Sequence, residues 1–178
     1  MKHSFEAVVE GKGTWIWLRI PDSISQEFSS RGAVAIEGRV ERDSYLTVAE
    51  PDGFGGHWIP GYDHLSLPSF LLGQTLHVEV QQSSQWAIPP LSQDFFQAIQ
   101  SSEYAISTWE NITPAARWAW FRWVRSAHHH STRQKRLSLM LKHLSIGKRR
   151  PCCFDQNRCT IPELSIQGKF LPEKKAFA

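Results

Sequence analysis

No stretch of this sequence holds the roughly 18 consecutive apolar residues that a membrane-crossing helix requires. Behind the opening Met1-Lys2-His3-Ser4-Phe5-Glu6 there is no apolar core of the secretory kind either. The expectation is a cytoplasmic protein with no membrane span. Cysteine is scarce: three in 178 residues, with Cys152 and Cys153 adjacent and Cys159 close behind. An odd count argues against a disulfide framework, and the paired C-x₂-C spacing of structural zinc is missing, so the three are read as free thiols. Acidic residues are absent from one whole segment. Residues 117–150 carry ten Lys/Arg and no Asp/Glu, a balance of +10, whereas residues 1–116 carry six against fourteen, a balance of −8. Residues 151–178 have four against three, and the chain totals +3. Such asymmetry has two readings, an acidic partner for the basic segment or a docking of the two halves on each other.

What is present is material for a core. Hydrophobic residues make up 41% of the chain, with eight Trp and ten Phe, each of which buries about 150–250 Å². A chain of about this length buries roughly 70% of its unfolded surface, so neither a disulfide nor a metal is needed to hold it together. The length fits one domain or two small ones.

The first 82 residues read as short strands. Ser4–Glu10 and Thr14–Ile20 flank Gly11-Lys12-Gly13, Ala33–Val40 faces Tyr45–Val48 across Arg42-Asp43, and His57–Ile59 follows a glycine-rich loop, Pro51–Gly56. Thr75–Val80 alternates, with Leu76, Val78 and Val80 on one face. Ser23–Ser30 is a candidate short helix, and Leu67–Leu72 is ambiguous. About six strands with turn signals between them, and no helical pattern separating them, favour a small barrel or sandwich. After a linker at Ser84–Pro90, Ser92 is placed to cap a short helix over Gln93–Gln100, with Phe95, Phe96 and Ile99 on one face. Thr113 and Pro114 are the clearest helix start in the chain. The helix they open puts Ala116, Trp120, Trp123, Val124 and Ala127 on an apolar face. A last helix from Ser131 or Thr132 carries Leu137, Met140, Leu141 and Leu144, and Gly147 stops it.

Trp109, Thr113-Pro114, Arg117, Trp120, Ala127, Thr132-Arg133-Gln-Lys-Arg136, Leu144 and Gly147-Lys148, taken in that order, resemble the YdeI/OmpD-associated, or bacteriocin-protection, family. Its members read Leu-Thr-Pro, an aromatic-rich helix, Ala-Lys, then Glu-Thr-Arg-x-x-Arg and a closing Gly-Lys. Phe5–Glu10, Ile20-Pro21, Gly32–Gly38, Pro51–Trp58 and Gly73–Val80 are similar to the small β-barrel domain of unknown function that often precedes that region. The resemblance spans roughly residues 4–150 and implies an α+β protein: a double-split, AbrB-like β-barrel over residues 1–82, then helices. The linker and short helix would fill 83–112, the basic helical region 113–150, and a partly mobile tail 151–178. It implies no established reaction. Two positions depart from the family pattern: His128 stands where members have Lys, and Ser131 where they have Glu.

Candidate sites are few. His128-His129-His130 cannot all face one ion from a helix, so a solvated turn is expected and no metal site. Asp52–His57 lacks the Gly-Lys-Ser/Thr ending of a phosphate loop. Asp43, His57, Asp63 and His64 form no nucleophile–base pattern, and neither a catalytic residue nor a cofactor is expected. On the first basic helix Trp118, Phe121, Arg122 and Arg125 fall opposite the apolar stripe, so Trp118 is a candidate for stacking on bases. Arg117, Arg122, Arg125, Arg133 and Arg136 are the candidate contacts for an anion or a partner. Arg133 projects among Leu137, Met140 and Leu144 and is read first as a structural clamp that needs a carboxylate, second as an anion anchor. Arg136 is placed on the solvent side. The expected activity is therefore binding, to a protein partner or a second copy. Nucleic acid bound by residues 117–150 is the alternative, and an enzyme acting on a small anionic metabolite the weaker one.

Overall fold

A computed structural model describes residues 1–61 and 71–171 of the chain. Asp63, His64 and most of the Leu67–Leu72 segment lie outside the described residues. The described residues divide into two compact units, one of residues 1–61, 71–87, 156–159 and 163–171, the other of residues 88–155 and 160–162.

In the first unit the alternating strands close a core because period-2 side chains all point the same way. β1 (Lys2–Val8), β2 (Glu10–Lys12), β3 (Trp15–Arg19), β4 (Val34–Val40), β5 (Asp43–Pro51), β6 (His57–Pro60) and β7 (Thr75–Gln82) form one antiparallel sheet in the order β1-β7-β4-β5-β6-β3-β2. The protein is thus α+β, and the barrel takes the form of a curled half-barrel. Its core unites Leu18, Ile36, Ile59, Leu76, Val78 and Val80, all fully buried. Each contributes about 1.5–3 kcal/mol of burial free energy. Glycine is required where β4 meets β7: a Cβ on Gly38 would lie 1.9 Å from the Glu79 carbonyl oxygen. β4 turns into β5 at Glu41-Arg42, one residue earlier than expected, with Glu41 in the left-handed region at φ 54°. The expected helix after Pro21 shrinks to one turn, α1 (Asp22–Ser25). Further along the chain, β8 (Ser165–Ile166) and β9 (Lys169–Phe170) make a two-stranded ribbon. Phe170 packs against Trp58 and Trp17, with ring centroids 4.7 and 5.2 Å away.

The second unit is helical. α2 (Gln93–Gln100), α3 (Glu103–Asn111), α4 (Pro114–Arg125) and α5 (His130–Ser145) follow one another with short connections. α3 replaces what reads as linker in the sequence. Its start is marked by Ser102, whose hydroxyl accepts from the Ala105 N–H. Thr113 caps α4 as its sequence position predicts, accepting from the Ala116 N–H at 3.2 Å, with Pro114 at the first helical position. Ser92 departs from the expected cap. Its hydroxyl donates to Asp94 Oδ1 at 2.6 Å instead of accepting from the backbone. α5 starts earlier than Ser131, and it ends as expected: Gly147 at φ 79° and Lys148 return their N–H groups to the Leu144 and His143 carbonyls.

Candidate functional site

Two helix faces depart from what the helical wheel marks. Phe96 on α2 is exposed while Phe95 and Ile99 are buried, so only two of that trio face inward. On α4 the opposite holds. Trp118, Phe121 and Arg122 are buried along with Ala116, Trp120 and Val124, so both sides of the helix are covered. Trp118 retains 1% exposure, and its ring meets Phe121 edge-on at 5.4 Å. A ring so placed offers no free face to a base. The wheel fails here because large aromatics occupy most of the circumference of α4, which leaves no polar stripe to identify the outer side.

The five candidate arginines are engaged inside the fold. Arg117 donates from Nε to the Trp109 carbonyl at 2.9 Å and from NH2 to the Glu110 carbonyl at 2.8 Å, covering oxygens that the last turn of α3 leaves without helical partners. Arg136, expected on the solvent side, is half-buried. It donates to the Trp123 carbonyl and to Ser126 Oγ, both at 2.6 Å, while its guanidinium lies 5.3 Å over the Trp123 ring. That places a cation at the negative end of α4. Arg133 finds the carboxylate its position demands: NH1 pairs with Asp94 Oδ2, and NH2 donates to Ser92 Oγ at 2.8 Å and Asp94 Oδ1 at 3.2 Å. Burial by itself would raise the Asp94 carboxyl. The hydrogen bonds from Arg133 and Ser92, with the charge of Arg133, outweigh it and hold the group below the usual carboxylate range. Arg125 donates to Thr160 Oγ1 and sits 4.9 Å over the Phe121 ring, and fully buried Arg122 lies 5.7 Å over Phe154.

The first unit holds a concavity that sequence reasoning missed, because the loop from Asp52 to Gly56 reads as a plain hairpin connection. A cleft of about 400 Å³ is lined by Asp22, Gln26, Arg31, Asp52, Phe54, Gly55 and Gly56. Asp52 Oδ1 accepts from the Phe54 and Gly56 N–H groups at 2.7 and 2.9 Å, an Asx-type closure of the loop. A Cβ on Gly56 would sit 2.6 Å from Asp52 Oδ2 and 3.1 Å from Asp22 Oδ1, so both carboxylates border this one glycine. Arg31 directs four N–H groups at the carbonyls of Ser25, Gln26, Phe28 and Gly55. Its donors are committed to the loop and to the end of α1, which leaves the acids as the groups facing the cleft. Beside it, buried His57 hydrogen-bonds Ser25 Oγ through Nδ1 at 3.1 Å and donates from Nε2 to the Gly32 carbonyl at 2.8 Å. With Ser25 fully buried, the pair ties α1 to β6 and offers no nucleophile.

His128, His129 and His130 are exposed in the turn before α5 and its first residue, and no group of three metal-ligating side chains occurs among the described residues. Residues 89–147 match the family described as bacteriocin-protection, YdeI or OmpD-associated. The match starts at residue 89, before α2, where the sequence pattern alone places the region from 113. It takes in α2 to α5, and with them the contacts of Arg117, Arg133 and Arg136. No curated protein matches the chain.

Proposed function

We propose that this chain, whose helical region carries the YdeI/OmpD-associated signature, acts by binding rather than by catalysis, and that its ligand enters the cleft of the β unit. The observation that carries this reading is the cleft, whose volume of about 400 Å³ falls in the range of small-molecule sites. Its acidic groups are Asp22 and Asp52, and its apolar wall is Phe54, 65% exposed. The ammonium of Lys169 already lies 5.3 Å from the centre of that ring. The chemistry that suits these groups is a small organic cation. The cellular setting we assign is stress or bacteriocin tolerance in the cytoplasm. What supports it is the family description, together with the observation that no helix among the described residues is long and apolar enough to cross a membrane. Nucleic-acid binding has less support, since the proposed stacking ring is interior. The same holds for an anionic metabolite, since Arg133 and Arg136 are already bonded.

A thermal-shift screen of amine-bearing against carboxylate-bearing fragments tests the cleft. At ten times its Kd a ligand adds about 1.4 kcal/mol, a rise of a few degrees for a chain of this size. Amines should give that rise, and Asp52→Asn, which keeps the loop-closing acceptor but removes the charge, should cancel it. Equal responses to both fragment classes, or an Asp52→Asn protein that responds like the parent, would remove the cleft from consideration.

A further inference from the structure

Cys152 and Cys153 are both exposed, and their sulfur atoms stand 3.5 Å apart. Neighbouring residues in extended chain point to opposite faces, so two adjacent thiols meet only if the backbone turns between them. Here it does: Cys153 has φ 54°, in the left-handed region that residues other than glycine, asparagine and aspartate seldom occupy. The turn is anchored on both sides. Upstream, the Arg149 carbonyl accepts from the Trp120 indole N–H at 3.2 Å, and downstream the Phe154 ring lies 5.7 Å from the Arg122 guanidinium. Lys148, Arg149 and Arg150 precede the pair with no acidic residue among them, and the charge of Lys148 pulls on the Cys153 thiol towards thiolate. The Cys153 thiol is nevertheless held above its ordinary value by the hydrogen bond and the charge of Cys152 beside it.

Two fates are open to such a pair, and covalent spacing separates them. Adjacent Cα atoms are about 3.8 Å apart, below the roughly 4.4 Å at which unstrained disulfides begin. Closing the pair on itself is therefore costly, whereas bridging it through a third atom needs almost no movement from 3.5 Å. We propose that Cys152 and Cys153 form a bidentate site for a soft, thiophilic centre, a trivalent arsenical or a soft metal ion. With an organoarsenic oxide, the two S–H bonds and the As=O bond break and two As–S bonds form. Both protons leave with the oxygen as water, and arsenic stays trivalent throughout.

The test uses the reduced full-length protein and phenylarsine oxide, read by intact mass. One adduct per chain, lighter by one water than the sum of the reactants, is expected. Two-point attachment should raise the monothiol concentration needed to strip it by about 100-fold over the adducts of Cys152→Ser or Cys153→Ser, while a small dithiol removes it readily. Cys159→Ser should behave like the parent, since Cys159 is buried. Both pair variants change exposed side chains, and circular dichroism verifies that they fold. A cadmium arm, followed by thiolate-to-metal absorption, extends the site to metal ions if it too needs both sulfurs. An adduct that survives either single substitution with unchanged monothiol resistance overturns the proposal. So does a pair that closes to a disulfide and refuses the arsenical.

Discussion

Asp94 shows what one residue can tie together. It belongs to the first turn of α2, where its negative charge suits the helix dipole, and it also accepts from Arg133 on α5. Its carboxyl is held low in the folded state, so the unfolded chain, with an ordinary value near 3.9, binds protons more readily. The stabilisation is therefore fully present above pH ~4 and is lost as pH falls through the lower folded value. We predict that urea midpoints of the parent and of Asp94→Asn differ most at neutral pH and converge on acidification below about pH 4. Glu37, also held low by hydrogen bonds from Ser83 and Gln81, affects both proteins equally and drops out of the difference. A gap that stays constant down to pH 2 would mean that the charge of Asp94 contributes nothing.

At the scale of elements, α5 works as a strut. Arg133 and Arg136 stand three positions apart, so they emerge about one helical turn apart, one reaching the N-terminus of α2 and the other the C-terminus of α4. The Thr-Arg-x-x-Arg pattern thus has a structural explanation: it pins two helix ends at once. Arg133 and Asp94 keep 25% and 41% side-chain exposure, which discounts the pair below what a buried ion pair would contribute. Arg136 loses more than a surface charge would, because two hydrogen bonds and a ring contact go with it. Arg133→Ala and Arg136→Ala should each cost about 1–2 kcal/mol in urea unfolding. The larger gap that the sequence suggests, with Arg136 nearly silent, would show that its contacts with Trp123 and Ser126 do not persist in solution.

For the whole molecule, the +10 balance of residues 117–150 overstates the charge available to a partner. Arg117, Arg122, Arg125, Arg133 and Arg136 are buried or half-buried with internal contacts. Lys148 is half-buried as well, and Lys135, Lys142, Arg149 and Arg150 are the exposed remainder. Four cations limit counterion release to a slope of about −3.6 in log K against log salt on a duplex. Filter-binding or anisotropy with unrelated oligonucleotides should accordingly give Kd values no tighter than about 0.1 mM at physiological salt. Micromolar affinity with a steeper slope would restore the nucleic-acid reading.

Local rules were enough for several features. Thr113-Pro114 started α4, Gly147 ended α5, the bounds of α2 were read correctly, and Leu76, Val78 and Val80 identified the buried face of β7. Each depends on backbone geometry or on a period of two within a few residues, information that is written in adjacent positions. α3 was overlooked because it buries only Ala105 and so shows no long apolar stripe, and its cap signal, Ser102, is short-range and common. The assignment of partners was out of reach. Which carboxylate meets Arg133, which carbonyls meet Arg117 and Arg136, and which side of α4 is covered all depend on residues 7 to 39 positions away along the chain. The cleft between α1 and the Asp52–Gly56 loop likewise joins segments that only the sheet brings together. Sequence determined the elements because the signals for them, helix caps and the alternation of apolar side chains, are local. Tertiary structure decided the site because a cavity and a charge pair exist only once distant segments have packed.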